Sequence, residues 1–223
     1  DVSNGDGGEH AFWILTPARE WTRSSAFVDN IVEARFGMDG AAYLLSRDGA
    51  PKKKILRLPL ATPDLRSATV VVPESENPIE GYTPTETRLY VTEMMGGPTQ
   101  MRVYDLSGRA LGLVAMREIA LVGTPVRTNG DDILVRSQSY TRPSAYYRYG
   151  PGATDLMPTA LVHTSPADFG DCEVRREYAT AADGTKLPIN IVMRKGTKLD
   201  GSAPALLYGY GSYGMSEQPY FRA

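Results

Sequence analysis

Cysteine and histidine are nearly absent from these 223 residues: Cys172 stands alone, and the histidines are His10 and His163. One cysteine forms neither an internal disulfide nor a paired-cysteine metal site, and two widely separated histidines give none of the spacings that gather ligands on one ion. No metal and no cofactor are expected, and Cys172 reads as a packed or idle thiol. One-sided charge is missing too. Lys and Arg number 24 against 26 Asp and Glu, a net charge of −2, without the basic excess of a general nucleic-acid binder. No apolar run approaches the roughly 18 residues a membrane-crossing helix needs, and the opening DVSNGDGGEH is polar, unlike a signal peptide. No nucleic-acid or membrane partner is expected, and the lone cysteine without a visible signal favours a cytoplasmic setting. The chain begins at Asp1 without a methionine and reads as a piece cut from a longer protein.

What is present is a series of short apolar runs rich in Val, Ile and Tyr, broken by Gly, Pro, Asp and Asn. That is the pattern of many short strands, not of amphipathic helices. Residues 41–45 and 54–58 flank Asp48-Gly49, 88–92 and 101–106 flank Gly96-Gly97-Pro98, and 132–136 and 145–149 flank Thr141-Arg142-Pro143. These are three successive hairpins. Their first arms align Tyr43 with Tyr90, 47 residues on, and Tyr90 with Leu134, 44 further. Their second arms align Leu56, Val103 and Tyr147 at the same intervals. A period of about 45 residues matches a β-propeller blade, whose sheet buries its faces only against neighbouring blades. Further strands over 68–72, 111–114 and 119–121 complete the blades, and 10–16 belongs to an earlier one. An antiparallel sandwich with evenly spaced hairpins is the plainer alternative.

The fold expected is therefore mainly β, with three to four propeller blades over residues 1–160. Residues 156–170 carry two prolines and read as linker sequence, with the boundary between the two domains expected over 161–171. Strands over 173–180 and 187–193 flank Asp183-Gly184, a strong hairpin signal, and open a second domain over 172–223. Its next strand, 205–208, leads into Gly209-Tyr210-Gly211-Ser212-Tyr213-Gly214.

Several motifs invite chemistry and mostly fail its requirements. Gly209, Gly211 and Gly214 satisfy G-x-G-x-x-G, but Pro219 argues against the helix that a dinucleotide site needs after them. Ser212 sits in a serine-bearing turn, yet Tyr210 occupies the place where a nucleophile elbow requires glycine. Neither His10 in its strand nor His163 in the linker is placed to serve as its base. The basic run Lys52 to Lys54 reads as a solvated hairpin tip, and Asp131-Asp132 and Glu74/Glu76 as solvated acidic turns. The tyrosines at 140, 146, 147 and 149 read as blade packing.

Three segments together carry a resemblance: 178–196 (YATAADGTKLPINIVMRKG), 199–204 (LDGSAP) and 206–214 (LLYGYGSYG). They resemble the prolyl oligopeptidase family of serine peptidases, specifically over about 172–223 and elsewhere through blade spacing. The resemblance implies a propeller followed by the first strands of an α/β-hydrolase domain. It implies that Tyr210 donates its hydroxyl to the oxyanion of the tetrahedral intermediate, while the Ser, Asp and His of the triad lie beyond residue 223. Gly211-Ser212-Tyr213-Gly214 is similar to the oligopeptidase B branch, which cleaves after basic residues.

The chain is accordingly expected to be part of a serine-type oligopeptidase acting on short peptides. Cleavage after proline is favoured, with cleavage after basic residues the alternative. The propeller would gate the active site, and the piece alone would be inactive. Its open propeller edges would self-associate or pair with the missing part of the parent. The alternative from another class is a non-enzymatic β-propeller interaction module, closed by the C-terminal hairpin.

Overall fold

The computed structural model describes residues 1–5, 8–16, 19–115, 119–212 and 215–222. A first sheet has three antiparallel strands, β1 (Val2–Ser3), β2 (His10–Leu15) and β3 (Trp21–Ser25). Blade one follows as a meander of β4 (Ile31–Phe36), β5 (Ala41–Ser46), β6 (Lys54–Pro59) and β7 (Thr69–Val72). Blade two repeats it with β8 (Ile79–Pro84), β9 (Arg88–Met94), β10 (Thr99–Asp105) and β11 (Ala110–Leu113). In blade three the first strand is interrupted, so that β12 (Ala120–Val122) and β13 (Val126–Asn129) both pair with β14 (Asp132–Ser139), followed by β15 (Ala145–Tyr149) and β16 (Met157–Val162). The hairpin β17 (Cys172–Thr180) and β18 (Lys186–Arg194) forms a separate sheet.

The second strand of each blade explains the stacking. All six residues of β5, Ala-Ala-Tyr-Leu-Leu-Ser, are buried, because alternate side chains point to opposite faces and both faces are covered. Ala42 and Leu44 pack toward Phe12 and Ile14 of the first sheet. Tyr43 and Leu45 pack toward Tyr82, Leu89 and Val91 of blade two. Tyr90, from the other face of β9, joins Ile133 and Val135 of blade three. Burying each such large apolar side chain is worth roughly 1.5–3 kcal/mol. The first strands meet closely. A Cβ on Gly81 of β8 would lie 2.1 Å from the Thr124 hydroxyl in the β12–β13 interruption, so only glycine fits there.

Several polar groups that enter the interfaces among the three blades are paired, as buried donors and acceptors usually are. The Tyr82 hydroxyl donates to the Tyr43 carbonyl at 2.6 Å, joining blades two and one. The Thr83 hydroxyl donates to the Pro125 carbonyl at 2.5 Å, joining blades two and three. Burial pushes the Tyr90 phenol up to about 12, and its hydroxyl donates to the Asp131 carbonyl at 2.8 Å.

The three expected hairpins form, and the repeat they define is the blade. The second-arm alignment is off by one residue at both ends. Tyr43 faces Arg57, Tyr90 faces Val103 and Leu134 faces Arg148, so the equivalent positions are Arg57, Val103 and Arg148 rather than Leu56, Val103 and Tyr147. A strand apolar on both faces carries no alternation to fix its register. Residues 157–162, expected within a linker, are instead β16, the outer strand of blade three. Pro158 is accommodated because an edge strand needs no outward N–H. The expected strand over 205–208 is absent. Leu206 and Leu207 are 94% and 89% exposed, and no strand lies alongside them among the described residues to complete a ladder.

Asp131 and Asp132 are not the solvated turn expected. One Asp131 carboxylate oxygen accepts the Thr85 hydroxyl and the Thr87 N–H, each at 2.7 Å, and the other accepts the Thr87 hydroxyl. Blade three is thereby stapled to the β8–β9 turn of blade two. Asp132 pairs with Arg148 across the β14–β15 hairpin. Partial burial acts to raise the Asp131 carboxyl, but the hydrogen bonds from Thr87 and Thr85 outweigh it and hold the group below its ordinary value. With the folded value depressed, the stabilisation is fully present above the unfolded carboxylate value and is lost as pH falls below that and through the folded value. Replacing Asp131 with Ala is expected to cost about 2–4 kcal/mol in urea unfolding at neutral pH, given roughly 1.5–3 kcal/mol for a hydrogen bond to a charged group. The gap between variant and parent should narrow below the ordinary value of 3.8.

Candidate functional site

Beyond β18 the backbone is irregular, and Tyr210 lies in it with its side chain 45% exposed. Gly209 and Gly211 on either side have open space where a Cβ would stand, so packing does not shape this turn. Tyr213 and Gly214 of the same motif lie outside the described residues. The Ser212 carbonyl accepts the Met215 N–H at 3.1 Å. His10 starts β2, with Nδ1 3.0 Å from an Asp1 carboxylate oxygen. The His163 N–H donates to the Ser144 carbonyl at 2.8 Å just past β16. No contact joins Ser212 to either histidine among the described residues, so the structure assembles no triad from them.

What the structure does assemble is a dock for the C-terminal hairpin. Arg176 of β17 donates from Nη2 to the Met95 carbonyl in the β9–β10 turn and from Nη1 to the Asn190 side-chain oxygen at 3.2 Å. Asn190 in turn donates to the Tyr140 hydroxyl in the β14–β15 turn at 3.1 Å. Two strands of one hairpin thus reach the loops of two blades. Gly97 has φ +125°, and a Cβ there would come 2.9 Å from the Glu217 carbonyl. Past the Tyr210 segment the chain returns to the same end of the blades. The Phe221 N–H reaches the Gln138 side-chain oxygen at 3.4 Å, and the Phe221 and Phe169 rings stand 5.4 Å apart. The sequence marks Gly96-Gly97-Pro98 only as a turn; that the turn is a contact surface depends on Arg176 and Glu217, far later in the chain, which no local pattern reveals.

Below the hairpin, a cleft of about 700 Å³ opens between blade three and the chain leading into β17, lined by Arg142, Pro143, Asp168, Phe169, Cys172 and Lys195. Desolvation pushes the Cys172 thiol up, and the Asp171 carboxylate 3.5 Å away adds to it. That keeps the sulfur protonated at neutral pH and a poor nucleophile, as the expectation of an idle thiol requires. Among the described residues, no group of three or more His, Cys, Asp and Glu side chains converges.

The remaining charged motifs find each other. The Lys52 N–H donates to Glu74 at 2.5 Å, its ammonium reaches the Glu76 carbonyl at 2.7 Å, and the Lys53 ammonium reaches the Ile79 carbonyl at 2.7 Å. The basic run and the acidic pair, expected to be solvated separately, form one cross-linked rim between the β5–β6 turn and the β7–β8 connection.

Known proteins share this fold. A family model described as the prolyl oligopeptidase N-terminal β-propeller domain matches residues 3–160. The prolyl endopeptidase of Elizabethkingia meningoseptica is 27% identical over 190 residues, which cover 80% of this chain and 25% of that protein. The chain thus spans about a quarter of the length of the curated relatives it matches. A solved prolyl endopeptidase superposes with a TM-score of 0.79 at 23% identity, over 96% of this chain and 32% of that one. Oligopeptidase B from Leishmania major does so with a TM-score of 0.77 at 20% identity, over 99% and 36%.

Removing the guanidinium tests the dock. Arg176→Ala is expected to raise amide exchange across β17 and β18 at least about tenfold, since losing a charge-assisted hydrogen bond costs roughly 1.5–3 kcal/mol, while β9 and β14 keep their protection.

Proposed function

The chain belongs to the prolyl oligopeptidase family, and from that membership we propose that its residues are the propeller side and the oxyanion donor of a serine-type oligopeptidase. The observation that carries this reading is the docked hairpin. Through Arg176 and Asn190 it holds the start of a second unit against the turns of blades two and three. The chain then runs on to Tyr210. In this reading 172–223 supplies the first strands of an α/β-hydrolase domain, and 205–208 takes up its strand once a neighbouring strand lies beside it.

The chemistry asked of Tyr210 is narrow. As the scissile carbonyl becomes tetrahedral, negative charge gathers on its oxygen, and a neutral phenol fixed near that position stabilises the charge more than it stabilises the substrate. The Ser, Asp and His that create the charge belong, in this reading, to further residues of the parent. The propeller limits entry to short peptides, with cleavage after proline favoured and cleavage after basic residues the alternative. The exposed apolar face of the first sheet, with Trp13 at 38% and Leu15 at 51%, is where the rest of the parent or a second copy would cover the stack.

The alternative of a non-enzymatic propeller closed by the C-terminal hairpin lacks support. Among the described residues β17 and β18 pair with each other and with no blade strand.

In the intact parent, Tyr210→Phe is expected to lower kcat on a fluorogenic proline or arginine peptide by about 10²–10³ with little change in KM, the usual effect of deleting one oxyanion donor. The 223-residue chain alone should give no turnover. Turnover by that chain, blocked by a serine-directed inhibitor, would contradict the reading.

A further inference from the structure

The outer strands of the first sheet and of blade one carry the same irregularity and differ in the side chain it buries. In β7 the register against β6 slips between Val70 and Val72, leaving Val71 as a bulged residue, 6% exposed and packed in the core between blades one and two. In β3 the register against β2 slips between Arg23 and Ser25, leaving Ser24 in the corresponding place, also 6% exposed. Where the neighbour buries a valine, this sheet buries a hydroxyl, and the Ser24 Oγ has no hydrogen-bond partner. An unpaired buried hydroxyl is destabilising, and a valine would avoid that cost.

The surroundings of the two residues differ as well. Over Val71 the four-residue β10–β11 connection closes tightly, so that a Cβ on Gly108 would stand 2.1 Å from the Val71 carbonyl. Over Ser24 the equivalent β6–β7 connection has nine residues, wound into a short 3₁₀ turn at Leu65–Ser67. It stands away from β3 and leaves a cleft of about 640 Å³. The cleft's charged groups are Arg23, Asp29, Asp64 and Arg66. Asp64 and Arg66 are forked onto each other, and one Asp29 oxygen accepts the Ala26 N–H at 2.7 Å. Arg23 makes no hydrogen bond or ion pair among the described residues. The Ser25 hydroxyl, which accepts the Phe12 N–H at 3.2 Å, keeps its own proton free to donate.

We propose that this cleft between the first sheet and blade one is a binding site for a small oxyanion, held by the Arg23 guanidinium and the Ser24 and Ser25 hydroxyls. A guanidinium with two hydroxyl donors matches the acceptors of a carboxylate or a phosphate, and the terminal carboxylate of a short peptide and inorganic phosphate share that chemistry. Nothing in this assignment depends on the peptidase reading.

Calorimetric titration of the protein with inorganic phosphate, with an N-acetyl dipeptide acid and with the same dipeptide amide separates the sources. Saturable binding of phosphate or of the acid, but not of the amide, is expected. Arg23→Gln should weaken it at least about tenfold, as losing a charge-assisted bond does. Ser24→Val, which installs the neighbouring blade's residue, should abolish it while the melting temperature holds or rises. If Ser24→Val melts lower, the exposed Arg23 decides alone. Absence of binding by both anions, or an affinity unchanged by Arg23→Gln, overturns the proposal.

Discussion

A four-stranded blade with two apolar faces cannot exist alone in water, and everything else in this molecule depends on that constraint. Tyr43 and Leu45 on one face of β5, with Ala42 and Leu44 on the other, must both be covered. The solution is a stack in which each sheet is the solvent shield of the next. Because hydrophobic burial lacks direction, it brings the sheets together without setting their offset. The offset comes from directional links between blades: the Tyr82 hydroxyl on the Tyr43 carbonyl, the Thr83 hydroxyl on the Pro125 carbonyl and the Asp131 carboxylate on Thr85 and Thr87.

Fixing the offset also lines up the turns at one end of the blades, and that row of turns receives the second unit. The contact there is of a different kind from the stack. Instead of continuous apolar burial it consists of a guanidinium on a carbonyl, an amide on a phenol, and glycine backbone pressed against the returning chain near Glu217. Such an interface is specific but shallow. It suits a joint between two units.

The sequence makes the hairpins legible because Gly, Pro and Asp punctuate β-branched and tyrosine-rich runs, and it makes the blades legible because the punctuation repeats. It conceals whatever depends on two faces or two distant segments. Register slips by one at Leu56 and Tyr147 because apolar residues occur on both sides of those strands. Strand β16 is hidden by Pro158, which an edge strand tolerates. Asp131 reads as a solvated turn because its partners, Thr85 and Thr87, lie more than forty positions earlier. The segment 205–208 has the composition of a strand, but composition supplies no pairing partner. Tyr210 is singled out by resemblance alone, since an exposed tyrosine in an irregular segment carries no local mark of an oxyanion donor.

The central claim is that mutual coverage of the blades holds this molecule together, with the hairpin added through a shallow joint. Native-state hydrogen exchange resolved by residue tests it most directly. Blade two, covered on both faces, should hold the slowest amides, at Leu89 to Val91 of β9. Protection should fall toward β2 in the first sheet and fall furthest in β17 and β18. Equal protection in the hairpin and in β9, or a maximum in the first sheet, would contradict the account.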